Sequence, residues 1–130
     1  MYELTVADKI WNRACQGGCD SSRAGDSALS ALILFHNATM NGGVLDAIES
    51  LSPDELAAAQ AAYSHFGLAF VTTLIGAARE AIHQDQDLDI LEPKLDQDYW
   101  AVIPDDGTLV NAFTAHFNGN AGEYSPLVGN

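Results

Sequence analysis

Three short stretches of this chain carry residue types that can do chemistry. Asp85-x-Asp87-x-Asp89 sets oxygens at alternate positions, as the opening of a calcium loop does. The sixth position is Ile90, where the loop's sharp turn requires Gly, and the twelfth is Asp96 in place of a bidentate Glu. A solvated acidic face is therefore the expected reading of this run. Gly25-Asp26-Ser27-Ala28-Leu29 has the outline of the block around the nucleophile of one serine hydrolase class. A nucleophilic Ser needs a positioned His and an orienting carboxylate. None of His36, His65, His83 and His116 lies in an Asp-x-x-His arrangement late in the chain, so Asp26 and Ser27 read instead as helix caps.

Cys15 and Cys19 flank Gln16-Gly17-Gly18 and read as two free thiols of a reducing compartment. They have no second cysteine pair, and no two histidines stand at close ligand spacing along the chain. No metal, no cofactor and no catalytic residue is assigned from these patterns. His36 and His65 fall on or near apolar stripes, which predicts hydrogen-bonded core or rim histidines.

Charge is the most unusual property of the chain: eighteen Asp and Glu against five Lys and Arg give a formal net charge of −13. Affinity for the phosphate backbone comes from clustered Lys and Arg that displace counterions, so direct nucleic-acid binding is disfavoured, as is binding to anionic membranes. Basic proteins are the partners such a field attracts. No apolar run approaches the roughly 20 residues of a membrane span, and Met1 to Ile10 lacks the pattern of a signal peptide, so a cytoplasmic protein is expected.

The elements that must position these residues read as helices. The 130 residues suit one domain, and the composition, 48% hydrophobic and 18% charged, is that of a globular protein. Thr5 to Ala14 reads as a helix capped by Thr5, with Val6, Ile10 and Ala14 on one face. Ser27 to Met40 is a second, with Leu29, Leu32, Ile33, His36 and Met40 as its buried stripe, stopped by Asn41-Gly42-Gly43. A short helix over Val44 to Ser50 follows. Ser52-Pro53-Asp54-Glu55 is a capping box with Pro at the first helical position. From Glu55 to Ile82 apolar residues recur every three or four positions, and Gly67 suggests a break into a helix pair.

Gln84 to Asp106 holds Pro93 and Pro104 and reads as an extended acidic connection, with Tyr99 and Trp100 pinned to the body. Thr108 to Phe117 is the last helix, capped by Asp105 or Asp106, and the tail from Asn118 is expected to be loosely ordered. The expected fold is thus all-α, a single domain of about five to six helices with an acidic extended connection before the last.

Phe35-His36-Asn37-Ala38-Thr39-Met40-Asn41-Gly42-Gly43, the helix pair around Phe66-Gly67, and Leu95-Asp96-Gln97-Asp98-Tyr99-Trp100 before a last helix together resemble a family. It is a bacterial domain-of-unknown-function family whose named member is a dimeric DNA-mimic protein. The resemblance covers roughly Ser27 to Tyr124, and its most specific element is the Asn-Gly-Gly turn. The chain departs from the pattern after the Gly pair, where Val44-Leu45-Asp46-Ala47-Ile48 stands in place of an aromatic-rich segment. The resemblance implies a homodimer and a basic, DNA-binding regulator as partner, and it assigns no particular residues.

Between Glu80 and Asp106 there are nine acidic residues and one Lys, a net −8 over 27 residues. Fully extended, the run spans on the order of 90 Å, or about 11 Å per net charge. Duplex DNA carries one charge per about 1.7 Å. Imitating DNA therefore requires folding to gather the carboxylates. The function expected is an acidic protein-binding module, a DNA mimic in its sharpest form, that binds through Asp85, Asp87, Asp89, Glu92, Asp96 and Asp98. The alternatives are an immunity-like protein neutralising a basic toxin and, less favoured, a small enzyme with a pocket joining His36, Asn41 and a carboxylate.

Overall fold

The computed structural model describes residues 4–16, 23–84 and 87–127, and these are all-helical, with no strand among them. Seven α-helices run in order, against the five to six expected: α1 (Val6–Cys15), α2 (Ala24–Gly42), α3 (Val44–Ser50), α4 (Pro53–His65), α5 (Ala69–His83), α6 (Leu88–Val102) and α7 (Asp106–Gly119). A 3₁₀ turn, Ala121–Glu123, follows. No helix is long and apolar enough to cross a membrane among the described residues.

Two starts follow the sequence closely. Thr5 accepts from the Asp8 amide while Asp8 accepts from the Thr5 amide, and Ser52 and Glu55 do the same at α4. The breaks are equally local. Gly67 has φ +79° between α4 and α5, and Gly43 has φ +93° between α2 and α3, a region that side chains with a Cβ rarely enter.

The 19-residue α2 is the central helix, packed on α1, α3 and α4. Leu29, Leu32, Phe35, Tyr63, Ile75, Tyr99 and Phe113 form the fully buried centre. The stripes read from sequence are displaced at their ends. Val6, Met40 and Phe70 are exposed, while Ala7, Phe35, Thr39, Val71 and Ile75 lie inside.

The largest correction concerns Gln84 to Asp106. In place of an extended connection it holds a 15-residue helix, α6, begun by the Asp87 side chain accepting from the Asp89 amide. Leu88, Leu91, Leu95, Tyr99 and Val102 recur at helical spacing and turn toward the core. Pro93 is the sixth residue of α6, where it removes one hydrogen bond and crowds the Asp89 carbonyl, at a cost of about 3 kcal/mol. Burial of Leu95 and Tyr99 offsets this with roughly 1.5–3 kcal/mol each.

A further correction lies at the start of α2. Asp26 and Ser27 do not cap α2. The helix begins a turn earlier, at Ala24, with Arg23 at the cap position, and Asp26 is buried in the first turn. There its carboxylate takes Arg13 Nη2 at 2.9 Å and the Ser125 amide at 2.7 Å. Two bonds also join the start of α2 to the part of the tail that the structure describes. Arg23 donates to the Gly122 and Tyr124 carbonyls, and the Tyr124 ring is buried against Gly25. A Cβ at Gly25 would meet that ring at 2.5–2.8 Å, so the absent side chain is what seats it.

Candidate functional site

Of the six acidic residues read as a binding surface, Asp85 lies outside the described residues. The other five lie on or at the start of α6, but the helix divides them. At 3.6 residues per turn, Asp89, Glu92 and Asp96 fall along one flank of the buried stripe and Asp87 and Asp98 along the other. Between them the outward ridge is Ile90, Pro93 and Gln97, with Ile90 72% exposed.

Three of these carboxylates are engaged in the fold. Asp96 reaches across to accept from the Val44 amide at 2.9 Å, capping the start of α3. Asp87 caps α6, and Asp98 lies 3.5 Å from Lys94. The carboxylates of Asp89 and Glu92 are exposed and make no hydrogen bond or ion pair among the described residues.

Folding changes the charge density that an extended chain would have. From Asp87 to Asp98 a helix rises about 17 Å, so five carboxylates and Lys94 give one net charge per about 4 Å. One strand of duplex DNA carries a charge per about 3.4 Å. The surrounding elements share the sign. Residues 44–106 hold thirteen acidic and two basic residues, a net −11 of the −13 total. Helix α6 packs on α3 and α5, and α3 adds the exposed Asp46 and Glu49.

Beside this surface runs a buried polar chain. The Tyr63 and Tyr99 hydroxyls are 2.8 Å apart, Tyr99 Oη is 2.7 Å from His36 Nδ1, and His36 Nε2 is 2.7 Å from Asp106 Oδ1. A carboxylate only accepts, so His36 donates through Nε2, and its Nδ1 then takes the Tyr99 hydroxyl. Burial pushes both phenols up, which keeps them protonated as donors. His36 is only 4% exposed, a hydrogen-bonded core histidine as its stripe position predicts, while Asp106 stands at the surface. An open groove of about 420 Å³ lies there, lined by Met40, Trp100, Pro104, Asp105, Asp106 and Gly107. His36 does not line it, and Asn41 is exposed and outside it.

A third cluster was not legible from spacing. His65 at the end of α4, His116 on α7 and Glu123 in the 3₁₀ turn bring their ligand atoms within 4.8 Å of one another. Glu123 Oε1 is 2.9 Å from His65 Nε2 and 3.8 Å from His116 Nε2, and His116 Nδ1 is 3.0 Å from the Tyr124 hydroxyl. Burial, with His65 close by, holds His116 below the usual imidazole range. The two histidines are 51 positions apart in the chain, so only the packing of α7 and the tail against α4 joins them. No local signal could have revealed the pair. Comparison with protein-family models, with curated proteins and with solved structures finds no match to this chain.

Proposed function

We propose that this protein is an acidic protein-binding module of the cytoplasm that engages a basic surface, of the kind a DNA-binding regulator presents to DNA. The observation that carries this reading is the helical gathering of charge. Between Asp87 and Asp98 the spacing falls from about 9 Å per net charge in an extended chain to about 4 Å in the helix, and only Lys94 opposes it. The field of such a surface is not cancelled locally and steers a cationic partner toward it. The resemblance to a family that includes a DNA mimic points the same way.

Asp89 and Glu92 are the steering charges of this surface, Ile90 and Pro93 its apolar centre, and Asp96 a structural support beneath it. Charges at the rim of an interface act mainly on association rate and salt dependence. The test is capture of a basic DNA-binding protein from host lysate, followed by kinetics of the purified pair at two salt concentrations. The variant Asp89→Asn/Glu92→Gln should associate several-fold more slowly, with a weaker salt dependence, and duplex DNA should compete with the wild type. Association that ignores both salt and the variant would instead favour an apolar interface centred on Ile90.

A further inference from the structure

We infer that His65, His116 and Glu123 form a binding site for a divalent transition metal, zinc by the character of the donors. Two imidazole nitrogens and one carboxylate oxygen, with a fourth position left to water, is a donor set that zinc takes in tetrahedral geometry. Bonds of about 2.0–2.1 Å set tetrahedral ligand atoms about 3.3 Å apart. The two distances from Glu123 Oε1, 2.9 Å and 3.8 Å, bracket that spacing. Shifts of side chains alone bring the three atoms onto one ion.

The surroundings suit the ion as well. All three residues are half-buried, so the site is shielded yet open to entry from solvent. A metal-bound imidazole usually donates its other ring N–H to a fixed partner, which sets tautomer and orientation. His116 has such a partner in the Tyr124 hydroxyl on Nδ1, leaving Nε2 directed at Glu123. Without metal, the Nε2–H groups face the Glu123 carboxylate and Tyr124 donates to His116 Nδ1. When zinc binds, each imidazole gives up its Nε2 proton and carries one on Nδ1 instead, by exchange with solvent, and the Tyr124 hydroxyl turns to accept that of His116, as a phenol can. Tyr124 itself is seated against Gly25, and Arg23 holds the carbonyls on either side of Glu123. The third ligand is therefore positioned before the ion arrives. The ion would join α4, α7 and the tail, locking the chain end onto the bundle.

The test uses the full chain carrying Cys15→Ser and Cys19→Ser, so that thiols cannot bind the probe. Zinc chloride titrated calorimetrically should bind once per chain and raise the melting temperature. Cobalt(II) should develop the visible absorption of a four- or five-coordinate ion. Glu123→Gln, which keeps shape and removes the charge, should weaken zinc binding at least tenfold, and His65→Ala and His116→Ala should do the same. Asp89→Asn/Glu92→Gln should leave it unchanged, which separates this site from the acidic surface. Circular dichroism checks that each variant is folded, and Glu123→Gln carries the test if a histidine variant is not. Zinc binding that Glu123→Gln leaves intact, or a thiol-free chain that binds none, overturns the assignment.

Discussion

Around the start of α2 charges are few and engaged: Asp26 is buried against Arg13 and the Ser125 amide, and Arg23, at the surface, holds two tail carbonyls. Along α6 charges are many and mostly open to solvent, with a single Lys among them. The same residue type thus does two jobs. A buried carboxylate has lost its water and must be matched by donors, so removing it strands its partners. An exposed carboxylate keeps its water, contributes little to stability, and acts at a distance through its field. Stability should therefore be concentrated in the few charges near α2, and recognition in the many near α6.

Replacing Asp26 by Ala breaks that comparison most directly. It leaves Arg13 Nη2 and the Ser125 amide without their acceptor, while Arg13 keeps the Pro126 carbonyl and some solvent access, so the loss should be about 3 kcal/mol, at the lower end of the range for a broken buried pair. Denaturant unfolding measures it. A loss below about 1 kcal/mol would mean that the tail is held by the Tyr124 ring, by Arg23 and by Arg13 on the Pro126 carbonyl, with little from Asp26.

The buried hydroxyl chain lies between the two extremes. Tyr99→Phe removes one hydroxyl without changing the ring, and leaves both the Tyr63 hydroxyl and His36 Nδ1 without a partner. Two stranded groups in a dry core should cost about 2 kcal/mol, read as a lower denaturant midpoint at unchanged slope. A much smaller effect would indicate that water enters and replaces the hydroxyl.

What the sequence discloses here follows the range of the forces involved. Thr5 with Asp8, Ser52 with Glu55, and Gly67 act within four residues of themselves, so their roles can be read along the chain. Helix α6 was hidden because Pro93 and Pro104 argued against it, while Leu88, Leu91, Leu95 and Tyr99 argued for it and prevailed through burial. Asp26 reads along the chain as a cap because capping is the local use of an Asp before an apolar run. Its partners, Arg13 and Ser125, come from separate elements, one of them 99 positions away. His65, His116 and Glu123 meet only after the bundle has closed, and Asp96 looks like any other acid of the run until Val44 arrives beside it.

The smallest expected effect is also the sharpest test, because it divides one helix. Asp96→Ala removes the acceptor for the Val44 amide, and a lost cap of this kind costs about 1 kcal/mol. Asp89→Asn/Glu92→Gln removes two charges from the same flank. Asp89 lies in the first turn, where a negative charge interacts favourably with the helix dipole by about 0.3–1 kcal/mol. Against this, the variant relieves repulsion within a chain of net charge −13, a gain of similar size that salt would screen. The two terms oppose each other, so stability should change by less than about 0.5 kcal/mol, and raising the salt should alter that small difference. Thermal unfolding of the three proteins side by side measures both. If the double variant loses as much stability as Asp96→Ala, then Asp89 and Glu92 are structural groups, and the division of α6 into a supporting and a steering part is wrong.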